Sequence, residues 1–398
     1  MAPPSYAPLA DRVTAVKARA AAWLRPDVRR PEHDGRASSL QDARRQVTAW
    51  ARTYGVSRVA NVTGLDRVGI PNAHAVRPLA THPCAIVSSG KGRSLEAAQT
   101  GALFESFERW AAEAPGFDIL ASRRETATVC PWIRAVVPSC LTPDQQIRWV
   151  LGFDPFTGME CLVPVDCVAF PRDWPDVNRI PGYSSSTDGI ASGTVPSEAI
   201  SAALFELIER HAVAHIDINR LFRIDERSIP DESAALVERF RSAGIDLSIV
   251  YCPSPTKIST FYVLSRDDVA RQSVFFCSGS GCHSQPRLAL DRALLELSQS
   301  RASFVSSIRP DVGQRIAQFH GSSYGQRRRN LDRWFTCEPT VDFREISVPS
   351  GDTFHKMLHL LKTNCDAVVE RSGLACVVLS EFPGLYACRL FAPDLSGP

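Results

Sequence analysis

Apolar positions recur three and four residues apart along DRVTAVKARAAAWL (11–24) and again along SLQDARRQVTAWARTYG (39–55), the period of a helix with one buried stripe. The second run opens at Ser39, a residue type whose hydroxyl caps helices, and stops at Gly55, where a residue free to take positive φ closes one. A strand-like stretch, VSRVANVTGL, comes next. Towards the C-terminus ACVVLSEF and YACRLFAP are strand or helix candidates, and the basic tract GQRRRN reads as a solvated loop.

The pattern then repeats itself. ALFESFER (102–109), ALFELIER (203–210) and ALLELSQSR (293–301) align so that Glu108, Glu209 and Gln299 are equivalent, each three residues after a Glu. A Gly-containing loop precedes each: CAIVSSGKG, SSSTDGIASG and SVFFCSGSGC. Gly92 precedes Glu105 by thirteen residues and Gly193 precedes Glu206 by the same thirteen; the third copy carries two more. The implied unit is strand, loop, helix, which predicts an α/β fold with three pseudo-repeated units around one site. Copies roughly 90 to 100 residues apart are too widely spaced for a solenoid. Residues 1–49 then read as an N-terminal helical appendage, able to pack on a later domain, and 50–398 as the catalytic domain.

Composition narrows the function classes. The formal charge is only +2, from 45 basic and 43 acidic side chains, so no global field points to nucleic acid. No apolar run reaches the length of a membrane span, and nothing near the N-terminus reads as a secretory h-region. Twelve Cys without a paired CxxC framework fit reduced, buried thiols, and the chain is expected in the cytoplasm.

The repeated acids carry the chemistry. Glu105 with Glu108, and Glu206 with Glu209, are carboxylate pairs on one helix face, and like charges at that spacing cost stability unless a cation answers them. Embedded among Leu, Phe and Ile, they suit magnesium, which takes oxygen ligands and is commonly held by one or two carboxylates plus substrate phosphates. Arg109 and Arg210 directly follow the pairs, and a guanidinium suits phosphate. Gly90-Lys91-Gly92 ahead of the first repeat helix is a phosphate-loop candidate. His211 with His215, and His355 with His359, have a zinc-compatible spacing without a third ligand; His283 is a better candidate for a substrate or nucleotide contact.

Four blocks together resemble the YcaO-domain family: RVANVTGLDRVGIPNAHAVRP (58–78), SSGKGRSLEAAQTGALFESFER (88–109), TDGIASGTVPSEAISAALFELIER (187–210) and GSGCHSQPRLALDRALLELSQSR (279–301). The resemblance implies a YcaO-type fold, with ATP and Mg2+ as cofactors. Glu105, Glu108, Glu206 and Glu209 fall on its magnesium and phosphate positions; Lys91, Arg109, Arg210, Glu296, Gln299 and Arg301 fall on nucleotide-site positions. Gly101 and Asp188 stand where the family often has Ser and Asn. The implied activity is phosphorylation of a peptide amide oxygen during maturation of a ribosomally made precursor peptide, giving an azoline, a thioamide or a macrocyclic amidine.

Because the chain ends APDLSGP, without the proline-rich tail common in azoline-forming members, it resembles members that make thioamides or amidines or rely on a leader-binding or sulfur-transfer partner protein. The resemblance also brings a homodimer into view. Two alternatives stand beside it: a degenerate scaffold or peptide-binding subunit, and an ATP-dependent modifier of a ribosomal or translation-factor protein.

Overall fold

The structure, a computed structural model, describes residues 9–25, 35–113, 116, 118–129, 133–170, 178–181, 183, 186–254, 256–306, 323–348 and 373–393. His355, His359 and the closing residues 394–398 lie outside them. In chain order the elements are α1 (Leu9–Trp23), α2 (Leu40–Trp50), β1 (Arg58–Asn61), β2 (Asn72–Val76), β3 (Val87–Lys91), α3 (Leu95–Ala112), β4 (Ile119–Ala121), α4 (Arg123–Val129), β5 (Arg134–Ala135), β6 (Ile147–Phe153), β7 (Glu160–Pro164), β8 (Ile190–Gly193) and α5 (Pro196–Ala214). There follow β9 (Phe222–Asp225), α6 (Asp231–Ser242), β10 (Asp246–Tyr251), β11 (Ser259–Arg266), β12 (Ser278–His283), α7 (Pro286–Ser306), α8 (Tyr324–Asn330), α9 (Asp332–Thr336), β13 (Val341–Asp342), β14 (Ala375–Phe382) and β15 (Leu385–Phe391). By its internal contacts the chain divides into two units: Met1–Pro31, Phe107–Leu207 and Asp352–Pro398 form the first, Glu32–Ser106 and Ile208–Gly351 the second.

The first unit is built on a seven-stranded sheet of order β5-β7-β6-β14-β15-β8, with β4 added beside β6. All its pairings are antiparallel except β5 with β7. ACVVLSEF and most of YACRLFAP thus form a strand pair, β14 and β15. The stripe along DRVTAVKARAAAWL becomes α1, which packs on β6 and β7. Trp23 ends it fully buried, with its ring edge-on to Tyr386 and its indole N–H donating to Glu381.

The second unit holds two sheets, an antiparallel β1-β2-β3 and a five-stranded β12-β11-β10-β9-β13 in which only β9 and β13 run parallel. Its core is the inner face of the larger sheet, with Ile249, Phe261 and Val263, covered by Phe240 of α6 and by Leu290, Leu294 and Leu297 of α7. Ser39 does cap α2, its Oγ accepting from the Asp42 N–H, but the helix ends at Trp50 and Gly55, at φ +88°, closes the turn beyond it. Only Arg58–Asn61 of VSRVANVTGL is strand. GQRRRN corrects the expectation of a loop: Ser323 caps α8 by accepting from Gln326 N–H, and Arg327 lies over the Phe276 ring while Arg328 pairs with Asp268.

Each of the three similar segments folds as strand, turn and helix: β3 with α3, β8 with α5, β12 with α7. Glycine makes the close seating feasible. A Cβ at Gly90 would overlap the Ala98 carbonyl oxygen, and one at Gly281 would overlap that of Ala289, so each helix rests directly on strand backbone. Among the described residues no helix is long and apolar enough to cross a membrane.

Candidate functional site

In the second unit the β2–β3 ladder pairs Asn72 with Lys91 and His74 with Ser89, so these four side chains share one face. That face meets Glu296 and Gln299, three apart on α7. Lys91 Nζ lies 2.8 Å from Glu296 Oε2, and Gln299 Nε2 donates to the Ser89 carbonyl at 2.9 Å. The Ser89 N–H donates to Glu105 Oε2 at 2.9 Å. From β12, Ser280 Oγ donates to Glu209 Oε1 at 2.7 Å and lies 3.4 Å from Glu296 Oε1, while Arg210 Nη1 is 3.7 Å from Glu209 Oε1.

Two carboxylates therefore meet at one hydroxyl. Burial is the main force raising the Glu209 pKa, and the Glu296 charge adds to it against Arg210, the Ser280 hydrogen bond and Lys91. Burial pushes Glu296 the same way, but the Lys91 ammonium, Arg210 and hydrogen bonds from Lys91 and the Ser280 backbone prevail and hold it below the usual carboxylate range. Glu209 is consequently the member that takes a proton first, and a cation beside it would favour its ionised form.

Within the first unit Ser192 Oγ donates to Glu108 Oε1 at 2.6 Å, and Arg109 is buried. Glu206 is half-buried, and its charge acts on Arg389, which is 2% exposed. Burial lowers the Arg389 pKa; Tyr183, Cys167, Asp188 and Glu206 work against that. Its Nη1 donates to the Val168 carbonyl at 3.3 Å, and its Nε has no hydrogen-bond partner among the described residues. Arg389 escaped the sequence reading because one Arg in YACRLFAP looks like any strand residue.

The three second-position side chains share a rule. Glu108 is held by Ser192 of β8, Glu209 by Ser280 of β12 and Gln299 by Ser89 of β3, so each is held by the strand of the next copy, and the order closes from third back to first. Each of these serines directly precedes a Gly, in SGKG, SG and SGC, and these stretches, expected as loops, lie in or at the end of strands β3, β8 and β12.

Other expectations end differently. Arg301 is fully buried and turned to Asp66 and Asp267, with Nε–Oδ2 2.9 Å to the first and Nη2–Oδ2 3.1 Å to the second, above the Phe275 ring. A guanidinium taken out of water needs such partners, and these two aspartates supply them. His283 is a buried core residue whose Nδ1 accepts from the Gln285 N–H, which fixes it as neutral; burial pushes its pKa well down. The rings of His211 and His215 lie 4.2 Å apart, with His215 Nδ1 2.7 Å from the His211 carbonyl.

Among the described residues no group of three or more His, Cys, Asp or Glu has metal-holding geometry. Magnesium suits the carboxylates present all the same, because it keeps several waters and uses one or two carboxylates plus phosphate oxygens.

The comparisons with known proteins agree with this chemistry. A family model described as YcaO cyclodehydratase, ATP- and Mg2+-binding, matches residues 89–396. An uncharacterised protein of Methanothermobacter thermautotrophicus is 29% identical over 350 residues, covering 86% of this chain and 90% of its own. In fold the chain is similar to YcaO from Methanopyrus kandleri bound with AMPPCP and Mg2+, with a TM-score of 0.73, 21% identity and 94% of each chain covered. It is likewise similar to a heterocyclase in complex with substrate and cofactor, with a TM-score of 0.75 and 16% identity, covering 96% of this chain and 55% of the heterocyclase. With an α/β fold shared along most of its length and a family model spanning its three acidic segments, the chain belongs to the YcaO family.

Proposed function

We propose that the chain activates a backbone amide of a peptide by ATP-dependent phosphorylation of the amide oxygen. The amide oxygen takes the γ-phosphoryl group with ADP leaving, a nucleophile adds to the amide carbon, and phosphate departs with the former carbonyl oxygen. A substrate Cys or Ser side chain would give an azoline, external sulfide a thioamide, and a substrate amine a macrocyclic amidine. A ribosomally made precursor peptide is the substrate in this reading, with a leader-binding or sulfur-transfer protein as partner.

The observation that carries it is the Glu209–Glu296 pair gathered on Ser280 beside Lys91 and Arg210: paired acids with cations suited to phosphate. We assign Glu105 and Glu209 in the second unit, and by their repeat positions Glu108 and Glu206 in the first, to magnesium. Lys91, Arg210, Glu296 and Gln299, with Arg109 by repeat position, are assigned to the nucleotide. Arg301 serves through α7, since its salt bridges to Asp66 and Asp267 anchor the helix presenting Glu296 and Gln299. Magnesium, when bound, offsets the charge of the triphosphate and of the transferring phosphoryl group.

Phosphate release from ATP by the full chain with Mg2+ and a precursor peptide tests the proposal. Turnover that depends on the peptide and is lost in Glu206→Gln supports it; no turnover under any pairing of peptide and partner protein, or wild-type turnover in that variant, removes it.

A further inference from the structure

We infer that His74 is a positioning residue that sets Glu105 and Gln299 through Ser89; the inference rests on the nucleotide reading of that cluster. Ser89 has its three polar groups on three different side chains: N–H to Glu105 at 2.9 Å, carbonyl to Gln299 at 2.9 Å, and Oγ to His74 Nδ1 at 3.0 Å. One strand residue thus fixes a proposed magnesium ligand and a proposed nucleotide contact together.

Strand geometry explains why the third bond matters. Among the described residues β3 is an edge strand, paired with β2 alone. The Gly92 N–H donates to the Pro71 carbonyl, so ladder bonds fall at the 71/92, 73/90 and 75/88 pairs and skip 74/89. The N–H and C=O of Ser89 accordingly turn outward, where Glu105 and Gln299 meet them. At such a non-hydrogen-bonded pair the facing side chains come closest, and no backbone bond ties Ser89 to His74. The His74–Ser89 side-chain bond is the direct link across the sheet at that point. Both residues are buried, at 3% and 4% exposure, so water does not replace it readily.

His74→Asn keeps a polar group near the place of Nδ1, whereas His74→Leu removes it. Titration of the full chain with a fluorescent N-methylanthraniloyl ATP and Mg2+ reads the difference. His74→Leu should weaken binding about tenfold, and His74→Asn should restore it to within about threefold of wild type. In the His74→Leu background, Gln299→Ala should cost less than it does alone, because part of its contact is already lost. Thermal melting followed by circular dichroism reports whether each variant folds; if His74→Leu does not, Ser89→Ala removes the same bond from the other side and carries the same expectation. Wild-type affinity in a folded His74→Leu or Ser89→Ala, or losses that simply multiply with Gln299→Ala, overturns the inference alone. Failure of the wild-type chain to bind the probe removes the nucleotide reading, and the inference with it.

Discussion

Glu209 and Glu296 come from different helices, yet their carboxylates meet at one hydroxyl, 2.7 Å and 3.4 Å from Ser280 Oγ. Lys91 is bound to Glu296 at 2.8 Å, whereas the nearest cation to Glu209 is Arg210 at 3.7 Å, so the less compensated charge of the pair is on Glu209. An arrangement of this kind is costly by itself and becomes favourable when a cation arrives, as expected of a site that trades stability for ligand binding.

Replacing that charge should separate stability from function. Glu209→Gln keeps the shape and a hydrogen-bond acceptor while removing the repulsion. We expect the melting temperature of the ligand-free chain to rise by about 2–4 °C and Mg2+-nucleotide binding to be lost. Differential scanning calorimetry with and without Mg2+-ATP checks both halves; a lower melting temperature would speak against buried repulsion at this pair.

The same group predicts a pH dependence with a definite sign. Because the folded-state pKa of Glu209 is raised above its unfolded value, the native state holds that proton more tightly. Its contribution to stability is therefore full below the unfolded pKa and is lost as pH rises through the folded one. Magnesium takes the ionised form, so affinity for Mg2+-ATP should climb as pH rises through the raised folded-state pKa of Glu209, with proton release on binding. Calorimetric titration in two buffers of different ionisation enthalpy measures that release; equal heats in both buffers would show that no proton leaves.

Arg301 should behave as a structural ion. Removing one member of a buried charge network strands its partners, so Arg301→Met is expected to cost about 3–5 kcal/mol in urea unfolding. Lys91→Met, at a half-buried position, should cost much less while weakening nucleotide binding more. Equal unfolding midpoints for the two variants would count against this division of roles.

Close seating of helix on strand gives a fourth expectation. Gly90→Ala places a Cβ against the Ala98 carbonyl and the Ala102 N–H, so α3 must shift and carry Glu105 with it. A stability loss of about 1–3 kcal/mol with reduced Mg2+-nucleotide affinity is expected, whereas Gly64→Ala, with open space around its Cβ, should change neither.

The residues gathered at the candidate site were largely legible because a Glu followed three residues later by Glu, twice, or by Gln, once, recurs in three copies, and the strand–turn–helix units follow from hydrophobic period and glycine placement. Ser89, Ser192 and Ser280 were harder to see: a serine beside a glycine is ordinary until the strand aims the hydroxyl of Ser192 or Ser280 at a carboxylate, or the outward backbone of Ser89 at Glu105 and Gln299. His74 and Arg389 depend on long-range pairing, His74 through the β2–β3 register and Arg389 through its place on β15 beside β8. Arg301 shows the opposite limit. The family resemblance suggested a nucleotide contact for it, but Asp66 and Asp267, distant in sequence, hold its guanidinium. GQRRRN misled because charge density says nothing of the Ser323 cap and the Phe276 ring that make it helical.

The proposed reaction stands on phosphate carrying away the oxygen of a peptide amide. A precursor peptide bearing 18O at its backbone carbonyls, incubated with the chain, Mg2+ and unlabelled ATP, tests this by mass spectrometry of the released phosphate. One 18O per phosphate is expected, in step with loss of one labelled oxygen from the peptide; peptide-dependent ATP turnover that releases only unlabelled phosphate would rule the reaction out.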